Sequence, residues 1–162
     1  MAYTDPGVVS GGGAITAAHT NLYRTAIQEL QVQVPLTATT WSSPIAGGIT
    51  VGSGATVAVY TQEGVWVTAY FKFTYGAGSA VPGPVQLTLP VAAVNQRMVC
   101  SAVFLDDSAS TNYPGCGLLG ASTTVLNVQN FVSPITNLSA TVPFTWAAND
   151  IITVGPFTYR VL

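Results

Sequence analysis

Charge is what this chain most lacks. Asp, Glu, Lys and Arg make up 6% of its 162 residues, where about 25% is usual for soluble domains. The basic side chains are Arg24, Lys72, Arg97 and Arg160; the acidic ones are Asp5, Glu29, Glu63, Asp106, Asp107 and Asp150. With a net charge of -2, the chain has neither the basic field that nucleic acid requires nor a polybasic patch for a membrane surface. No nucleic-acid or membrane partner is expected. No stretch approaches the roughly 18–20 apolar residues of a membrane span, and no basic segment followed by an apolar run reads as a secretory signal.

Histidine is nearly absent too. His19 stands alone, with no second histidine or carboxylate beside it, and reads as a surface or packing residue. A Ser-His-Asp arrangement therefore has no support, and the Cys/His spacing of a zinc site is missing. The only cysteines are Cys100 and Cys116. Cys100 lies in the run RMVCSAVF and reads as a buried reduced thiol; a Cys100–Cys116 disulfide would need oxidising conditions that nothing in the sequence implies. Asp106-Asp107 is the only adjacent carboxylate pair. With Asn112 it could offer oxygens to a hard cation, but a solvated loop is the default, because calcium loops present more carboxylates. Gly11-Gly12-Gly13 precedes a helix pattern without the Lys-Ser/Thr of a phosphate loop. Asn137-Leu138-Ser139 fits a glycosylation tripeptide, a pattern common by chance. No cofactor and no catalytic residue is expected.

What is present is apolar and β-forming: hydrophobic residues make up 49% of the chain. That content excludes disorder. The surface must be built from Thr, Ser, Asn, Gln and Gly, and such a neutral surface offers little repulsion against self-association. The longest period-two run spans residues 64–76 (GVWVTAYFKFTYG). Val65, Val67, Ala69, Phe71, Phe73 and Tyr75 share one face, which should pack a core. Trp66, Thr68, Tyr70, Lys72 and Thr74 share the other. That second face is too aromatic for open solvent and should meet another layer or another subunit.

Around this central strand the chain divides into three parts. Residues 1–14 form a flexible N-terminal arm, with turn chemistry at Asp5-Pro6-Gly7 and a hinge at Gly11-Gly12-Gly13. Residues 15–34 are the one helix candidate. Thr16 serves as N-cap, Leu22, Tyr23, Ala26, Ile27, Leu30 and Val34 form one apolar stripe, and Pro35 closes the segment. The stripe must be buried, either on its own β domain or on copies of itself around a symmetry axis; the second is preferred. Residues 35–162 form the β domain.

Within that domain, residues 37–43 carry β-branched side chains and Trp41; Pro44 and Gly47-Gly48 make a turn region; and strands are expected over 49–54, 56–61, 64–76, 85–89, 97–105 and 123–128. Gln62-Glu63-Gly64 makes a hairpin turn. Residues 76–84 and 106–117 read as loops, 133–138 as a turn and 146–150 as a polar corner. Residues 151–154 and 157–162 form either a strand pair or one strand bulged at Gly155-Pro156. The regular spacing of strands and turns predicts a mainly β fold, an antiparallel jelly-roll-like β-sandwich preceded by one N-terminal helix.

The segments VQLTLPVAA, DDSASTNYPG and VPFTWAANDIITVGPFTYRVL, with ITAAHTNLYRTAIQEL before them, resemble β-rich virion proteins of tailed phages of actinobacteria: head decoration proteins, head fibres and minor tail proteins. That resemblance implies a trimeric jelly-roll-like domain without enzymatic activity. It implies a virion protein assembled in the host bacterial cytoplasm, with the phage major capsid protein or other virion proteins as partners. The expectation is a homotrimeric capsid decoration protein or short head fibre, with Leu22, Ala26, Leu30, Trp66 and Tyr70 at the interface between copies. A tail-associated receptor-binding module, whose exposed Tyr and Trp would contact host-surface glycan, is the alternative. An enzyme built on a sandwich is a weaker third reading, since fold alone does not exclude it.

Overall fold

A computed structural model describes residues 37–94, 96–120, 124–131 and 135–162. The helix expected over 15–34 and the arm over 1–14 lie outside the described residues. So do Leu22, Ala26 and Leu30.

The described chain is mainly β. Its strands are β1 (Thr39–Thr40), β2 (Ile45–Gly47), β3 (Ala55–Glu63), β4 (Trp66–Thr74), β5 (Val85–Thr88), β6 (Met98–Asp106), β7 (Thr111–Leu119), β8 (Val125–Asn130), β9 (Thr136–Asn137) and β10 (Ile151–Arg160). All pairings are antiparallel, in the order β1-β3-β4-β10-β6-β7-β8-β5-β2, with β9 beside β8.

Two hydrogen bonds show that this sheet curls. Trp41 N–H donates to the Ala58 carbonyl on β3 at 2.9 Å, and Thr88 N–H on β5 donates to the Pro44 carbonyl at 2.8 Å. In a flat sheet β3 and β5 would lie roughly 29 Å apart, at about 4.8 Å per strand step. Three residues of chain reach about 11 Å at most. The sheet therefore rolls until its two ends can be strapped by residues 41–44.

The central strand is as the alternation predicts. Val67, Ala69, Phe71 and Phe73 are buried while Trp66 and Thr68 are exposed. β-branched and aromatic side chains suit a pleated surface with one face in a core. β10 pairs it on one side and β3 on the other. Val65 is an exception to the expected grouping: with Gly64 it forms the β3–β4 turn and is exposed. Gly64 has φ 57°, the positive φ that a two-residue hairpin turn asks of its first residue. The core gathers Val85, Leu87 and Leu89, Ala102 and Phe104, Leu126 and Val128, and Ile152, Val154 and Tyr159. Trp41 lies edge-on to both Phe71 and Phe157. Each such fully buried large side chain contributes about 1.5–3 kcal/mol relative to exposure.

Four expectations need correction. Residues 106–117 are not a long loop. β6 and β7 form one hairpin from Met98↔Leu119 to Asp106↔Thr111, turning through residues 107–110. Tyr113-Pro114-Gly115-Cys116-Gly117 reads as turn chemistry, but here glycine answers to packing. A Cβ on Gly115 would sit 2.3 Å from the Phe104 ring, and one on Gly117 2.6 Å from Cys100 Sγ. Residues 49–54 form no strand beyond an isolated bridge between Thr50 and Ala80. Of the turn expected over 133–138, residues 133–134 lie outside the described residues, Thr136–Asn137 is β9, and Leu138 is fully buried. The turn region expected at 44–48 holds a short strand, β2 at Ile45–Gly47, and just before it Trp41 leaves the edge strand β1 to enter the core. The C-terminal alternative resolves as a single strand, β10, whose pairing with β4 shifts between Val154 and Phe157. Gly155 has φ 89° there, a conformation that favours glycine.

Candidate functional site

Because side chains alternate along each strand, the register defines rows across the outer face of the sheet. One row runs Glu63, Trp66 and Arg160. The next is Thr61, Thr68 and Thr158. A third is Val57, Lys72, Thr153, Val103 and Pro114. The Thr68 and Thr158 hydroxyls share a hydrogen bond at 2.8 Å. Trp66 is 54% exposed and Val57 50%, and Val103 is exposed as well. Tyr70 is half-buried. It lies opposite Val59 on one side, and on the other meets the place where β10 skips two residues. Trp66 and Tyr70, both expected at an interface, thus lie on one outer face of the same strand. Its apolar breadth, with Glu63, Lys72 and Arg160 as its charges, is that of a surface suited to contact with protein.

The carboxylates of Asp106 and Asp150 hold the chain around the β6–β7 turn. Asp106 Oδ1 accepts from Ser108 Oγ at 2.7 Å and from Ala109 N–H at 3.0 Å. Asp150 is fully buried. Its Oδ1 accepts from Asp107 N–H at 2.9 Å and its Oδ2 from Ala147 N–H, which ties the corner at 146–150 to the hairpin. Residues 147–149 of this corner are exposed and turn, as expected, while Trp146 is buried against Phe144, ring centroids 4.5 Å apart, and its Nε1–H donates to the Ser139 carbonyl at 2.8 Å. Among the described residues no three His, Cys, Asp or Glu side chains group to hold a metal ion.

Cys100 and Cys116 are both free. Cys100 pairs across the ladder with Gly117 and Cys116 with Ser101, so the two side chains point to opposite faces of the sheet. Burial pushes the Cys100 thiol up to about 11 and raises Cys116 as well. Tyr159 is pushed up to about 12, chiefly by burial. Its hydroxyl donates to the Val91 carbonyl at 2.9 Å.

A second feature of the outer face escapes sequence reading because its parts are far apart in the chain. Gln86 Nε2 on β5 donates to Asn127 Oδ1 on β8 at 3.0 Å, and Gln129 Nε2 on β8 donates to Asn137 Oδ1 on β9 at 3.0 Å.

No protein-family model, no curated protein and no solved structure matches the chain.

Proposed function

We propose that the chain is a non-enzymatic structural protein of a phage virion, a homotrimeric capsid decoration protein or short head fibre. On this reading the β unit is a jelly-roll-like sandwich behind an N-terminal helix. The strand nesting supports the sandwich. β4 pairs with β10, β5 with β8 and β6 with β7, while β10–β6 and β7–β8 join the nested pairs. Counted among the six strands β4, β5, β6, β7, β8 and β10, first pairs with last, second with fifth and third with fourth, which is in keeping with the wrapping of a rolled Greek-key sheet.

The observation that carries the assembly reading is the outer face bearing Trp66, Val57, Tyr70 and Val103. Exposed apolar side chains spread over a sparsely charged sheet face, Trp66 between Glu63 and Arg160 and Val57 beside Lys72, favour burial against another protein surface. The partners on this reading are two further copies of the chain and the phage major capsid protein or another virion protein. Light scattering on the purified protein should give the mass of three chains, and cryo-electron microscopy of the intact particle should place trimers on the capsid exterior. A stable monomer at micromolar concentration would overturn the trimer. Density on the tail alone would favour the receptor-binding alternative.

A further inference from the structure

We infer that the outer face of β5, β8 and β9 binds a neutral oligosaccharide. Gln86 and Asn127 are directly paired on neighbouring strands, as are Gln129 and Asn137. Asn127 and Gln129 are two apart on β8 and share a face. Four planar amides are thereby set in one contiguous group, although the chain brings them from three separate segments.

Apolar rows flank the group. Pro114 carbonyl accepts Phe131 N–H at 3.2 Å. That bond continues the β7–β8 ladder one step past Gly115↔Asn130, so Phe131 keeps the strand period and falls on the amide face. Phe131 is 47% exposed. On the far side Leu118 stands opposite Asn127, with Val99 beyond it, 64% exposed.

The chemistry selects the ligand class. Each amide offers two N–H donors and a carbonyl acceptor, so one mutual hydrogen bond per pair leaves donors and acceptors over. Vicinal sugar hydroxyls both donate and accept, and a sugar ring has an apolar C–H face that stacks on an exposed aromatic ring. β5, β7, β8 and β9 carry no charged residue. The amide group itself therefore offers no cation to a sulfated, phosphorylated or carboxylated ligand; the exposed Arg97, two residues before Val99, stands at the edge of the patch. A purely structural ladder would also join the strands, since cross-strand pairs contribute roughly 0.2–1 kcal/mol each. It would not require a bare Phe131 alongside.

The inference concerns the isolated protein and does not depend on the virion reading. The test is a titration with cellohexaose, maltohexaose and mannohexaose, followed through the side-chain NH2 signals of Asn127, Gln129 and Asn137 in a 15N–1H spectrum. A heparin hexasaccharide serves as the charged control. Saturable millimolar shifts with at least one neutral sugar, and none with heparin, are expected. Phe131→Ala and Gln129→Ala should weaken that binding several-fold with the melting temperature unchanged. If a variant is unstable, saturation transfer from the wild-type Phe131 ring to the sugar C–H groups gives the same answer. No amide shift with any neutral sugar, an equal response to heparin, or undiminished binding in Phe131→Ala would each overturn the inference.

Discussion

Trp41 meets Phe71 edge to face, with ring centroids 6.2 Å apart and planes at 66°. One ring comes from the strap at 41–44 and the other from the middle of β4, so this contact closes the rolled sheet over its own core. Phe71→Ala should therefore remove more than a transfer term, because the cavity opens beneath the strap. A loss of about 3–5 kcal/mol is expected, a large part of the roughly 5–15 kcal/mol of a typical domain. Urea unfolding measures it. Val57→Ala on the outer face should change the same unfolding free energy by about 0.5 kcal/mol or less in the monomeric reference.

Trp66→Ala and Tyr70→Ala test the outer face. If that face joins copies of the chain, both variants should give lower mass by light scattering at a concentration where the wild type is assembled. The secondary structure seen by circular dichroism should not change. A Tyr70→Ala protein of unchanged mass that melts as early as Phe71→Ala would show that Tyr70 belongs to the core of a single chain.

Gly117→Ala places a methyl group 2.6 Å from Cys100 Sγ and 2.8 Å from Leu126 Cδ2. Overpacking of this kind costs about 1–3 kcal/mol. Removing the sulfur should relieve part of it, so Gly117→Ala in a Cys100→Ala background should cost less than in the wild type. Strict additivity of the two changes in urea unfolding would show that the sulfur is not the obstacle.

The half-buried Cys100 and the buried Tyr159 set an alkaline limit. Cys100 rises from 9.0 to about 11, and Tyr159 from 10.0 to about 12, because burial disfavours their anions. Both are neutral in the folded and unfolded states at pH 8, where stability is whole. Above pH 9 the unfolded thiol ionises first and the folded thiol lags, so the unfolded state holds fewer protons and stability falls as pH climbs towards 11. Tyr159 extends the fall. Urea midpoints across this range should decline, and Cys100→Ala should decline less. At pH 8 a thiol reagent should label the native protein slowly and the urea-unfolded protein fast.

Sequence made the strands legible where one face is core. The alternation of Val67, Ala69, Phe71 and Phe73, of Val85, Leu87 and Leu89, and of Met98, Cys100, Ala102 and Phe104 states the inner face directly, and the runs fall on β4, β5 and β6, with β5 ending one residue before Leu89. It misled at β7, because Pro114, Gly115 and Gly117 have the composition of a loop. The demand for glycine arises from Phe104 and Cys100 across the ladder, which no local pattern encodes. The amide group was illegible for the same kind of reason. Gln86 lies 41 residues from Asn127, and only the pairing of β5 with β8 makes them neighbours.

The strap at 41–44 has a mechanical consequence. Tension applied through residues upstream of Thr37 enters the sheet at β1, which is registered with β3 at only two positions. Such a short edge peels one hydrogen bond at a time. The next residue is Trp41, 2% exposed and wedged between Phe71 and Phe157. Pulling it out means withdrawing an indole from the core and, with it, loosening the clasp between β3 and β5. The unit should yield in two stages, a soft release of β1 followed by a stiff stop at Trp41.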